Sequence, residues 1–292
     1  MAKPSAVRAE LNVFCVALSL LAATGWIATV LAEQASQAIA SVDSETVRYP
    51  SGADRIEAFV SKPKTGGTHP AVVVVHDDLG LNDAIRNVTR LFAQAGFVAF
   101  APNLASRGPG TLPPASGTQG AGTANRLRLP VAQTVNDVVA AFQFLQQDAG
   151  VEGTRISAIG FGFGGYRVWK MAQQLPSLHR AVVFYGVTPT EDEISRINAP
   201  VLGHYAQYDF LLTASVLKTQ KQMGKKFTYH IYPADHGFFG GSSGSALDIA
   251  ALAGVIDLPF VDADKKAQKA PVGTPDAAAR LAFQRTLAFL RN

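Results

Sequence analysis

Short apolar runs alternate with longer segments of helical spacing along most of this chain, and glycine- or proline-containing turns divide them. Ala71 to Val75 reads AVVVV, a continuous β-branched run of the kind found in strands buried on both faces. Ala84 to Ala95 follows with apolar residues at helical intervals and is closed by Gly96. The same unit recurs as Phe97–Ala101 with Val131–Gln147, Arg155–Ile159 with Gly165–Leu175, and Val201–Tyr205 with Thr213–Met223. Ala181–Tyr185 leads into a short acidic segment, and Phe227–Tyr232 is a further strand. Ahead of these, Glu45–Tyr49 and Arg55–Ser61 alternate as a hairpin around Ser51–Asp54. An amphipathic segment, Asp276–Leu290, presents Leu281, Phe283, Leu287, Phe289 and Leu290 for packing. Strands alternating with helices predict an α/β fold with a mostly parallel central sheet flanked by helices on both faces. Arg107–Gly122 and Gly240–Gly244 read as loops, and Ala246–Pro275 as an insertion.

Residues 1–40 have a different pattern. Lys3 and Arg8 precede an apolar stretch from Leu11 to Ala32 without a polar face, and Ala38-Ile39-Ala40 has the form of a signal cleavage site. The expectation is a signal peptide, with a retained N-terminal membrane anchor as the alternative, since the stretch is long enough to span a bilayer. Either reading exports the domain at 41–292 to a periplasmic or extracellular location. The only cysteine, Cys15, lies in this leader, so the exported domain has no thiol or disulfide. With 292 residues and 48% hydrophobic content, one large domain is favoured. The net charge of +4 comes from scattered basic residues, which offer no stripe for nucleic acid or a membrane surface.

The candidate chemistry centres on GFGFGG, Gly160–Gly165, between a strand and a helix. Its letters satisfy the G-x-G-x-x-G of dinucleotide sites. That reading requires the first strand of a βαβ unit and an acidic residue about 20 positions on, at the end of the next strand. Here the next strand ends at Tyr185-Gly186, and the first acids, Glu191 and Asp192, lie beyond Pro189 in a loop. The other reading is a nucleophile elbow, which requires an acid after a later strand and then a histidine, with an oxyanion-hole segment after an earlier strand. Asp209, His236 and the segment reaching Gly80 occur in that order.

VVVVHDDLGLN (Val72–Asn82), FAPNLASRGPGT (Phe100–Thr111), GFGFGG, FYGV (Phe184–Val187), YDFLLTAS (Tyr208–Ser215), YPADHGF (Tyr232–Phe238) and RTLAFL (Arg285–Leu290) together resemble the dienelactone hydrolase family of α/β-hydrolases. The resemblance implies an α/β-hydrolase fold, a small ester, lactone or related molecule as ligand, and no cofactor or metal. It also implies a triad in which the elbow residue attacks the carbonyl, His236 is general base and acid, and Asp209 orients the histidine. The family carries cysteine at the elbow, where this chain has Gly162. Asp77 stands where the family has a glutamate that helps activate the thiol, and the backbone N–H groups of Asp78 and Phe163 would form the oxyanion hole. Of two arginines that hold a substrate carboxylate, Arg107 matches one and Gly240 replaces the other.

A nucleophile at an elbow sits on a turn of positive φ, which glycine adopts almost freely. Gly162 is therefore expected to keep the bend while deleting the attacking atom. Two functions follow: a hydrolase working through water or another nucleophile, and a non-catalytic binding protein that keeps the pocket. Ser157, Ser242, Ser243 and Ser245 are the other hydroxyls considered as nucleophiles. His76 with Asp77 and Asp78 suggests a metal cluster only if further ligands converge on it. His204 and His230 lie on strands and read as structural histidines; Phe161 reads as packing, and Phe163 as a lining residue. Asp209 also stands where it could cap the following helix.

Overall fold

The computed structural model describes residues 42–106, 129–239, 252, 256 and 275–292. Eight strands form one sheet: β1 (Val42–Ser51), β2 (Asp54–Pro63), β3 (His69–Val75), β4 (Val98–Pro102), β5 (Val151–Phe161), β6 (Ala181–Phe184), β7 (Val201–Ala206) and β8 (Phe227–Tyr232). Their order is β1-β2-β4-β3-β5-β6-β7-β8. The β1–β2 hairpin joins antiparallel at β4, and every pairing from β4 to β8 is parallel. The helices are α1 (Asp83–Gln94), α2 (Val131–Gln146), α3 (Phe163–Gln174), α4 (Glu191–Ile194), α5 (Phe210–Met223) and α6 (Pro275–Arg291).

The valine run at 72–75 shows why the sheet lies between two helical layers. Successive side chains of a strand point to opposite faces. Val73 and Val75 join one core with Val138 and Phe142 of α2 and Val168 and Trp169 of α3. Val72 and Val74 join the other with Leu91 and Phe92 of α1 and Phe283 and Leu287 of α6. All four valines are fully buried, which explains the absence of polar alternation there. Helix α1 begins where the side chain of Asn82 accepts the Ile85 N–H at 3.0 Å, and Ile85, Val88, Leu91 and Phe92 bury one face.

The chain passes from β3 to β4 on one side and returns to β5 on the other, so the crevice at the carboxyl ends of β3 and β5 is a topological switch point, where open α/β sheets bind ligands. Register fixes what meets there. Val75 aligns with Gly160, Phe161 with Phe184, and Phe184 with His204. Asp77, Gly162 and Tyr185 therefore leave adjacent strands at about the same height.

Several boundaries differ from expectation. Strand β5 starts at Val151, ahead of Arg155, because Val151 pairs with His69. Helix α5 starts at Phe210 with Asp209 at the N-cap position. Glu191 and Asp192 stand in the short helix α4 instead of a loop; Thr190 and Glu193 close it with a capping box. The leader 1–40, Cys15, Arg107, Gly240, Ser242, Ser243 and Ser245 lie outside the described residues, as does nearly all of the 246–275 insertion.

Candidate active site

The bend between β5 and α3 is tight: two of its glycines have no room for a side chain and a third has little. A Cβ at Gly160 would lie 2.3 Å from the carbonyl oxygen of Gly164, and one at Gly164 would lie 2.3 Å from that of Val75. At Gly165 a Cβ would meet the Cα of Gly186 at 3.0 Å. These contacts press the start of α3 onto β3 and β6. The glycines therefore serve close backbone packing, and the motif follows β5 and not the first strand of a βαβ unit, with no acid at the end of β6, so the letters do not make a dinucleotide site.

Gly162 differs from its neighbours. Its φ is +48° and its ψ −107°, a sharp turn that costs an ordinary residue on the order of 1–3 kcal/mol. Space, however, is available. A Cβ there would lie 3.7 Å from Nε2 of His236, 3.7 Å from Cδ2 of Tyr185 and 3.8 Å from Cβ of Asp77, all ordinary contact distances. A side chain on Gly162 would emerge among those three residues.

His236 reaches this space from the segment after β8. Its Nδ1 is 2.5 Å from Oδ2 of Asp209. A carboxylate only accepts, so Nδ1 carries the hydrogen and Nε2 is left as the basic nitrogen of the neutral ring. Asp209 side chain is 14% exposed and that of His236 42%. Although Asp209 occupies the N-cap position of α5, its side chain makes no capping hydrogen bond. The carboxylate is turned to the histidine instead.

Asp77 follows β3 and borders the same space, its Cβ 3.8 Å from where a Cβ on Gly162 would lie. Its Oδ1 accepts the Leu79 N–H at 2.9 Å. Burial pushes its carboxyl up to about 6, and nearby Asp78 adds to the rise, while the Leu79 bond and His236 oppose it. The preceding His76 is spent on structure. Its Nδ1–H donates to the Asp77 carbonyl at 2.6 Å, and its Nε2 accepts the Leu104 N–H at 3.2 Å. Burial holds it down at about 4, so it is neutral and has no lone pair left for a metal. Phe163 opens α3, so its N–H has no acceptor within the helix and stands beside the bend. The Phe163 ring carries the Arg167 guanidinium 3.2 Å from its centroid and stacks parallel to His76. Arg167 itself is committed to Thr134 Oγ1, the Phe163 carbonyl and the Leu129 carbonyl.

The structure thus brings Gly162, His236, Asp209 and Asp77 together. Ser157 is not among them: it lies five residues upstream on β5, and its hydroxyl is 3.4 Å from His179 Nδ1. His204 is enclosed between Tyr232 Oη and Thr286 Oγ1, at 2.9 and 3.0 Å, and Phe161 packs among Phe184 and Phe239, both as expected of structural residues. Tyr185, which no motif singles out, also borders the space. It is the one non-glycine residue with positive φ, +39°, among the described residues. Its signal in the sequence is slight, a tyrosine between a strand end and Gly186 in FYGV.

The arrangement is an imidazole held at Nδ1 by a carboxylate, with Nε2 bordering the space beside Gly162. Comparison with known proteins gives the family and the fold. Residues 56–292 match the dienelactone hydrolase family. A Methylorubrum extorquens protein named "Putative carboxymethylenebutenolidase" is 28% identical over 207 residues, covering 66% of this chain and 71% of its own. One of the same name from Saccharolobus solfataricus is 30% identical over 233 residues, covering 65% and 87%. Among solved structures, a dienelactone hydrolase-like promiscuous phosphotriesterase from metagenomic libraries superposes with a TM-score of 0.61 at 21% identity, over 86% of this chain and 98% of the other. That likeness is one of fold.

Proposed function

The chain belongs to the dienelactone hydrolase family, and from that premise we propose that it hydrolyses small esters or lactones with a water molecule in place of the elbow nucleophile. The observation that carries this reading is the position of His236 Nε2, 3.7 Å from where a Cβ on Gly162 would lie, with Nδ1 held by Asp209. A water there gives a proton to Nε2 as its oxygen bonds to the carbonyl carbon. Asp209 stabilises the imidazolium through Nδ1–H, and the N–H groups of Asp78 and Phe163 receive the oxyanion. The tetrahedral intermediate then expels the alkoxide, which takes the proton back from Nε2, leaving an acid and an alcohol, or one hydroxy acid from a lactone. A positioned base of this kind contributes about 10²–10⁴-fold. Water lacks the reach and fixed placement of a tethered nucleophile, so turnover is slow.

The hydrogen at Gly162 favours a second reading, a binding protein that retains the pocket without turnover. Hydrolysis of an activated aryl ester by the 41–292 domain, measured beside His236→Ala, separates the two. The water route predicts activity that falls by roughly 100-fold or more in His236→Ala. Undiminished activity in that variant removes His236 as the base, and an inactive parent beside an active Gly162→Cys removes the water route. Arg107 is proposed to contact a carboxylate on the ligand, so Arg107→Ala should raise KM for an acidic lactone and leave a neutral ester unaffected. The leader 1–40 is proposed to export the domain, by cleavage or as a retained anchor, which the N-terminal sequence of the mature protein distinguishes.

A further inference from the structure

Tyr232 is where the two arms of the candidate site meet. It ends β8, and its carbonyl accepts the Gln207 N–H at 2.7 Å and the Ala234 N–H at 2.8 Å, while the Tyr208 N–H donates to the Ala234 carbonyl at 3.2 Å. The segment leading to Asp209 is thereby laced to the segment leading to His236. The Tyr232 ring packs on Phe238 with centroids 5.2 Å apart, so the turn that carries His236 is closed at its base by its own flanking rings. The Tyr232 hydroxyl also enters a chain of hydrogen bonds that runs through His204 to α6, and its direction follows from the far end. Thr286 Oγ1 donates to the Ala282 carbonyl at 2.8 Å, so it accepts Nε2–H of His204 at 3.0 Å. Burial, with His230 and Arg285 adding to it, pushes His204 well below the usual range, and the ring is neutral. Its Nδ1 is then bare and accepts the Tyr232 O–H at 2.9 Å, while the Tyr232 oxygen accepts Nη1–H of Arg285 at 3.2 Å. The main chain of His204 serves the same corner. Its carbonyl accepts the Tyr185 N–H at 2.8 Å, and the Tyr185 ring centroid is 4.9 Å from that of His236.

We infer that Tyr232 is a positioning residue for His236: its hydroxyl, anchored by His204 and Arg285, fixes the turn that presents Nδ1 to Asp209 and Nε2 to the space beside Gly162. This rests on the assignment of His236 as the base in the water route and adds to it. With 42% of its side chain exposed, His236 depends on its turn for placement. Ring packing has little directional preference, whereas the two hydrogen bonds at the Tyr232 oxygen set the angle of the ring. The 2.5 Å bond from His236 to Asp209 is directional too, and it weakens as the turn tilts. The Tyr232 phenol takes no proton and touches no substrate; it acts through His236 alone.

Tyr232→Phe tests this with a readout that needs no turnover. In protein labelled at its histidines, the ring-nitrogen chemical shifts report which nitrogen of a neutral ring carries the hydrogen. In the parent, His204 should be the Nε2–H form and His236 the Nδ1–H form held by Asp209. In Tyr232→Phe the His236 shifts should move towards the mixture of an unheld ring. Hydrolysis of the activated ester should lose roughly two- to tenfold in kcat with KM little changed, the range for one lost hydrogen bond. Phe142→Leu, in the core on the other face of the sheet, is the control for lost stability and should leave the His236 shifts as in the parent. Shifts that Tyr232→Phe leaves unchanged, or that Phe142→Leu moves equally, overturn the inference. So does His204 in the Nδ1–H form, or an active parent whose kcat survives Tyr232→Phe intact; none of these touches the water route. A parent without esterase activity whose His236 shifts respond to Tyr232→Phe alone removes the water route and keeps the positioning role.

Discussion

At Gly164 a Cβ would lie 2.3 Å from the Val75 carbonyl oxygen and 2.4 Å from that of His76; at Gly162, two residues earlier in the same bend, the nearest atom would be 3.7 Å away. The first glycine is demanded by backbone against backbone, where nothing can move aside. The second is permitted by its φ of +48° and otherwise leaves room. One motif thus contains a glycine held by close backbone packing and one held by its backbone angle alone. The glycine signature reports packing at Gly160, Gly164 and Gly165, and a sharp turn with room beside it at Gly162.

The sharpest way to break that comparison is to fill both positions. Gly164→Ala drives a methyl into two carbonyl groups, and overpacking against a backbone that cannot yield should cost about 3 kcal/mol or more, or prevent folding; urea denaturation measures it. Gly162→Cys should cost less, about 1–3 kcal/mol for the positive φ, and hydrolysis of an activated ester should rise by roughly 100-fold or more as a tethered thiolate replaces water. Comparable destabilisation by the two substitutions would erase the distinction.

A smaller effect sharpens the view of the Asp77 border of that space. Asp77 rises from 3.8 to about 6 in the folded protein, so between those values the native state binds more protons than the unfolded chain. Its contribution to stability is present below about 4 and lost as pH rises through about 6. Asp77→Asn should therefore stabilise the fold at pH 8 by about 2–3 kcal/mol and by little at pH 4. His76, held at about 4, acts in the opposite sense, costing stability as pH falls from 6.5 towards 4, so the slope should steepen in Asp77→Asn. Denaturation midpoints across that range check both signs.

Asp209→Asn should show the smallest effect on stability, under about 1 kcal/mol, because the carboxylate makes no capping bond and its partner is well exposed. Its activity should nevertheless fall, since an amide cannot stabilise the imidazolium.

Much of this was legible in the residues. Buried parallel strands appear as apolar runs such as Val72–Val75, and their order with Asp209 and His236 gave both the sheet and the facing pair. Tyr185 was not legible, because its strain comes from the His204 carbonyl and from Gly165, which are distant in sequence and meet it only through the sheet. The different duties of the glycines were hidden for the same reason: letters carry no distances. The start of α5 was placed three residues late because Phe210, Leu211 and Leu212 interrupt the helical polar pattern at a solvent-facing turn, with Phe210 and Leu211 exposed.

Intact-mass analysis with peptide mapping of Gly162→Cys after brief exposure to an activated acyl ester tests the central claim most directly. An elbow complete but for its nucleophile predicts one acyl adduct, on the substituted residue, that forms quickly and is lost when His236→Ala is added. A folded Gly162→Cys that takes up no acyl group, or takes it up equally well without His236, would contradict the account.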